Sequence, residues 1–191
     1  MKNILILAGP SGVGKTTLAH ALLKASDRFE LVRSVTTREP RGDSFDGEYI
    51  YITKEEFFRL RSQGGVLEYT EYAGNFYGTP LSEIERIIGE GRVPLLILDL
   101  NGVHTVVSSK GDINPCAVYL TVKEEELEAR LRRRYGTDTE KLSSRLDKNR
   151  LDKAEYESIK SDFFAVVENS GNVGKCAEEI AELFLNFVQT H

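Results

Sequence analysis

Gly9-Pro10-Ser11-Gly12-Val13-Gly14-Lys15-Thr16 is the stretch whose reading decides this chain. It matches G-x-x-x-x-G-K-[S/T] at every fixed position. Residues 3–8 before it are a continuous apolar run of strand length. After it, Leu18, Ala19, Ala21, Leu22 and Leu23 recur at helical spacing over residues 15–25. Strand, glycine-rich loop and helix in that order point to a phosphate site. Glycines let successive N–H groups turn inward, and the helix start adds a partial positive charge. Lys15 is expected to reach the β- and γ-phosphates of a nucleoside triphosphate, and the Thr16 hydroxyl to ligate Mg²⁺.

Outward from the loop, buried strands are expected at residues 28–35, 95–98, 117–121 and 163–167. A charged helix covers 123–134, and an amphipathic helix runs from Val173 to Val188 with Ser170 or Asn172 as cap. Apolar strands alternating with helices predict an α/β fold with a parallel sheet. Residues 33–80 break the rhythm: strand-like pieces at 49–52 and 66–72 bracket a helix over 54–63 capped by Thr53, a small α+β insertion. A second irregular stretch, 135–140, falls between two charged helices.

The 191 residues carry 25 Lys plus Arg against 30 Asp plus Glu, net −5, which disfavours a general nucleic-acid binder. No apolar run approaches the roughly 20 residues of a membrane span. The first eight residues are expected to be a mature N-terminus and a strand, not a leader. Cys116 and Cys176 sit in apolar patterns and read as buried thiols. His20, His104 and His191 show no ligand spacing and are assigned no chemistry.

The loop alone specifies triphosphate binding. Asp99 closes the apolar run 95–98, where an acid beside the phosphates is expected, and no N-K-x-D guanine motif of the small-GTPase type occurs. Further along, Ser34-Val35-Thr36-Thr37-Arg38-Glu39-Pro40-Arg41 places two arginines three apart after a run of hydroxyls. A guanidinium pairs bidentately with phosphate, so Arg38 and Arg41 can clamp a monophosphate. Asp46-Gly47-Glu48-Tyr49, Leu67-Glu68-Tyr69 and Gly74-Asn75-Phe76-Tyr77-Gly78-Thr79 add phenolic donors and an inward-aimed carboxylate, Glu68.

On these segments, together with Asp99, residues 136–145 and residues 166–169, the sequence resembles the guanylate kinases over nearly its whole length. The resemblance implies the P-loop nucleoside monophosphate kinase fold: a parallel-sheet core (1–32, 81–134 and 146–191), an α+β GMP-binding lobe (33–80) and a small lid (135–145). It implies ATP and GMP, with dGMP as a further acceptor, Mg²⁺ with the ATP, a cytoplasmic setting, and a monomer or small homo-oligomer. Residue by residue, Gly9 to Thr17 would hold ATP. Arg38, Arg41, Tyr49 and Tyr77 match residues on the GMP phosphate, and Ser34, Glu68 and Thr79 match those that read guanine, with Asp99 on the GMP side. Arg145 matches the lid arginine on the transferring phosphoryl group. Arg134 matches a second, with Arg133 as the alternative because Tyr135 is inserted before Gly136. Asn169 matches a residue beside adenine. The chain departs from the pattern at Asn101, which replaces a second acid. A residue is missing before Tyr49, which makes Tyr51 the alternative for its role. A kinase of another phosphorylated acceptor and a non-catalytic binding module are the rival readings.

Overall fold

The computed structural model describes residues 1–191 apart from Arg41, Asp43, Ser44, Phe45 and Lys110, with only the backbone of Asp46. Arg41, the second arginine of the acceptor cluster, therefore lies outside the described residues. The chain divides into two compact units, residues 1–27 with 96–191, and residues 28–95.

The first unit is built on parallel strands. β1 (Lys2–Ala8) pairs in parallel with β8 (Ile113–Thr121), and β8 in parallel with β9 (Ala165–Glu168). Ile4 to Ala8 are all fully buried. Successive strand side chains point to opposite faces, so both faces of β1 are covered. The cover comes from α1 (Lys15–Ala25), α4 (Leu100–Ser108) and α7 (Val173–Thr190), which pack on β1, β8 or β9. Asn172 caps α7 by accepting from the Gly174 and Lys175 amides. Cys116 and Cys176 are buried free thiols. Burial pushes the Cys116 thiol up to about 12, which keeps it unreactive.

The expected irregular stretch 135–140 is shorter in the structure. α5 (Glu124–Tyr135) ends at Gly136, and α6 (Thr139–Ile159) begins after Asp138, whose carboxylate accepts from the Lys141 amide. Only residues 136–138 are non-helical, because Asp138 offers α6 a cap within three residues.

The second unit holds a four-stranded sheet in the order β4-β3-β6-β5, from β3 (Ser34–Thr36), β4 (Tyr49–Tyr51), β5 (Val66–Tyr72) and β6 (Asn75–Pro80). β5 and β6 form a hairpin through Ala73 and Gly74, both at positive φ (50° and 75°), the backbone a two-residue turn requires. Thr53 caps α2 (Lys54–Ser62) in a reciprocal capping box with Glu56. The single strand expected over 28–35 is instead two. β2 (Phe29–Leu31) pairs in parallel with the start of β7 (Val93–Ile97), while β3 joins the other sheet. The break falls at Arg33, whose guanidinium makes a bidentate pair with Glu83 at 3.0 and 3.1 Å. Glu83 belongs to α3 (Leu81–Gly89), which buries Ile84 and Ile87 and was not foreseen, nor was α4.

Candidate active site

In the first unit the glycine-rich loop turns at Gly9, Gly12 and Gly14, with φ of 146°, 89° and 100°. A Cβ on Gly9 would lie 2.5 Å from the Leu120 carbonyl oxygen of β8, and one on Gly14 2.7 Å from Asn169 Nδ2. Close packing against β8 and Asn169 thus demands glycine at both positions. No side chain among the described residues caps α1. Its first-turn N–H groups are left for an anionic ligand.

Lys15 Nζ donates to the Gly9 and Pro10 carbonyls, at 2.7 and 3.2 Å. Burial lowers its ammonium to about 8, opposed by the negative charges of Asp152 and Asp99 and reinforced by Lys148 and Arg145. Asp99 also caps α4, accepting from the Gly102 amide at 2.8 Å. A cleft of about 760 Å³ opens beside the loop, lined by residues including Ser11, Lys15, Thr16, Arg130, Arg134 and Asn169. Thr17 and Arg133 line it too, so both candidate arginines of α5 face the same space.

Three residues that sequence reasoning passed over hold this region together. Arg130 and Glu126 stand at i, i+4 on α5, the spacing of an ordinary surface pair. Arg130 keeps that pair, at 2.6 Å, and also donates to the Val13 and Asn169 carbonyls, each at 2.9 Å. Asn169 Nδ2 donates to the same Val13 carbonyl at 2.7 Å. Asn149 and Asp152 come from α6. Asn149 accepts from the Ser11 amide and donates to the Ser11 carbonyl, and Asp152 is buried and pairs with Lys148 at 3.1 Å. The available signal was spacing: Arg145, Lys148, Asn149 and Asp152 fall at i, i+3, i+4 and i+7, one face of a helix.

The second unit gathers the acceptor residues. Arg38 Nη2 donates to the Tyr51 hydroxyl at 3.3 Å, and the guanidinium lies 5.3 and 5.8 Å from the Tyr49 and Tyr51 ring centres. Tyr77 meets Tyr49 edge to face at 6.1 Å. Thr36 fixes the arginine from below, accepting from the Arg38 amide and donating to the Phe76 carbonyl. Ser34 opens β3 opposite Tyr49.

Glu68 is 7 % exposed, and the Thr79 hydroxyl donates to its Oε1 at 2.5 Å. Glu68 faces inward as its apolar neighbours in the sequence suggest, within a bulge that simple alternation does not foretell. Val66 pairs with Pro80 and Tyr69 with Gly78, so Leu67 and Glu68 together oppose Thr79 alone. Gly78 permits this: a Cβ there would lie 2.9 Å from the Val66 side chain and 3.1 Å from the Glu68 carbonyl.

Among the described residues no group of three or more His, Cys, Asp or Glu is arranged to hold a metal. No helix among them is long and apolar enough to cross a membrane.

The guanylate kinase family profile matches residues 1–186. A guanylate kinase of Oleidesulfovibrio alaskensis is 37% identical over 185 residues, covering 95% of this chain and 86% of that protein. One from Prochlorococcus marinus is 35% identical over 184 residues, covering 96% and 97%. The crystal structure of guanylate kinase from Anaplasma phagocytophilum superposes with a TM-score of 0.69 at 26% identity, over 96% of this chain and 84% of that one. Similarity of that extent reaches both the phosphate loop and the buried Glu68–Thr79 pair, and this chain belongs to the guanylate kinase family.

Proposed function

We infer that this chain transfers the terminal phosphoryl group of ATP to GMP, giving ADP and GDP in a cytoplasmic setting. The observation that carries the acceptor reading is the buried Glu68 carboxylate held by Thr79. Guanine presents N1–H and a 2-amino group side by side. A carboxylate accepts both in parallel, while adenine would turn a lone pair toward the charge. Ser34, and Asp99 with Asn101 beside it, would complete the guanine contacts. Arg38, Arg41, Tyr49 and Tyr77 would hold the GMP phosphate, and Tyr51 keeps Arg38 in place.

The loop and the start of α1 would hold the ATP phosphates, with Lys15 across the β- and γ-groups and Asn169 beside adenine. Magnesium suits this donor set. It keeps most of its water and binds through phosphates and few protein oxygens, and Thr16 offers one hydroxyl at the helix start. When bound it neutralises charge on the phosphates. The GMP phosphate is already ionised and is itself the nucleophile, so no general base is needed. Catalysis is then positioning and charge neutralisation by Lys15, Arg145 and Arg134, and closing the site excludes water.

Coupled measurement of ADP formation with GMP, dGMP, AMP, CMP and UMP tests this. GMP should exceed AMP in kcat/KM by about 10⁴-fold, as sites built on donor–acceptor pairing do. Comparable values for the two purines would overturn the acceptor reading and leave the phosphate loop as a generic donor site.

A further inference from the structure

The loop that would hold ATP is bonded at one point by α6, the helix that carries Arg145. Asn149 Oδ1 accepts from the Ser11 amide at 2.9 Å, and Asn149 Nδ2 donates to the Ser11 carbonyl at 3.1 Å. A carboxamide is suited to this because it presents an acceptor and a donor side by side, matching the N–H and C=O of one residue. The first bond holds the Pro10–Ser11 peptide through its N–H, and the second holds the orientation of the Ser11–Gly12 peptide through its carbonyl. That peptide is otherwise easy to rotate, since Gly12 sits at φ 89°.

The same bonds set the helix. Arg145 stands one turn before Asn149 on the same face, and Lys148 and Asp152 complete the stripe. Asn149 bonds Ser11 directly, and Arg145, Lys148 and Asp152 lie close enough to act on the Lys15 charge. α6 stacks Tyr156 on Tyr119 at 3.9 Å toward its C-terminal end, but near Arg145 its apolar packing rests chiefly on Leu142 and does little to specify the rotation and depth of that stretch. A pair of short directional bonds can.

We propose that Asn149 is a positioning residue for phosphoryl transfer: it docks α6 on the phosphate loop and thereby sets Arg145 at the transferring group. This rests on the phosphoryl-transfer reading above, in which Arg145 meets charge that develops in the transition state. Misplacing such a group by an ångström costs up to about 10²-fold in rate.

The test is a double-mutant cycle between Asn149→Ala and Arg145→Ala in the full chain, with Asn149→Leu as a variant that keeps side-chain bulk but makes neither bond. Steady-state turnover with ATP and GMP and thermal unfolding are followed for each. Asn149→Ala and Asn149→Leu should each lower kcat about tenfold and leave KM for GMP within about twofold. In the Arg145→Ala background the further loss should fall below about twofold, because the two residues act as one unit. Three results overturn the proposal: unchanged kcat in Asn149→Ala, recovery in Asn149→Leu, or the same tenfold loss without Arg145. The wild-type chain separates this failure from that of the functional reading. Normal GMP turnover in the wild type alongside any of the three removes Asn149 alone. An inactive wild type with GMP removes the acceptor reading, and the cycle is then read with whichever monophosphate supports turnover.

Discussion

Lys15 is the charged residue of the phosphate loop, and its environment departs from that of a free side chain. Its ammonium is held down to about 8 by burial. Triphosphate oxygens would favour the charged form and raise that value again, so binding takes up a proton wherever the free lysine is neutral. The affinity for a non-hydrolysable ATP analogue should therefore be level below pH 8 and fall about tenfold per unit above it. Calorimetric titration from pH 7 to roughly 9.5 checks this, and Lys15→Arg should flatten the profile because a guanidinium stays charged. A level profile in the wild type removes Lys15 from the phosphate site. Glu68 is the second residue on which a single substitution is decisive. Glu68→Gln keeps shape and the Thr79 contact but offers one neutral acceptor where the carboxylate offers two. KM for GMP should rise and most of the GMP-over-AMP preference should vanish, measured as kcat/KM for both bases. An unchanged ratio would assign base selection to other residues.

Among the elements, α2 is short and exposed along most of its length, burying only Phe57, so its cap matters more than its packing. Thr53→Ala removes the acceptor for the Glu56 amide and should cost about 0.5–2 kcal/mol in denaturant unfolding. Loss of less than the error of that measurement would mean that the Phe57 stack on Phe76, at 5.4 Å, holds the helix unaided. α3 joins its neighbours through charge. Glu83 accepts from Arg33 and Arg86, and Arg86 also bonds Glu30 and Glu90. The Arg33 hydrogen bond, followed by that of Arg86, outweighs burial and holds the Glu83 carboxyl below its usual value. A depressed carboxyl stabilises above its unfolded value and stops doing so as pH falls through its folded one. Glu83→Gln should thus be less stable than wild type near neutrality, and the gap should close below about pH 4. A gap that persists in acid would trace the loss to geometry and not to charge.

For the whole molecule, the division into two compact units matches a division of labour in the proposed reaction, donor residues in the first and most acceptor residues in the second. The two arginines that stand for these halves should fail differently. Arg145→Ala should lower kcat far more than it raises KM for GMP, since it meets charge that develops only in the transition state. Arg38→Ala should act chiefly on KM for GMP, because it holds the acceptor in the ground state as well. Initial-rate kinetics over both substrates separates the two patterns, and the reverse assignment of effects would mean that donor and acceptor roles are exchanged.

Local pattern was enough to determine α1 over residues 15–25, the Thr53 cap, the α7 periodicity and the phosphate loop itself. Each of these is encoded within a few residues by spacing, capping chemistry or glycine backbone freedom. Segments that depend on distant partners were not legible. The run 28–35 reads as one strand, and only its distant partners divide it, β7 pairing with residues 29–31 and β4 and β6 with β3. Glu68 reads as inward-aimed from the sequence and is buried, but the bulge beside it exists only in register with β6. Arg130 and Asn149 look like ordinary surface residues of charged helices, and they become loop-holding residues only when α5 and α6 are laid against Val13 and Ser11. Sequence determines what a residue can bond, whereas the folded chain decides which carbonyl or amide lies within 3 Å of it, because hydrogen bonds weaken steeply beyond that reach.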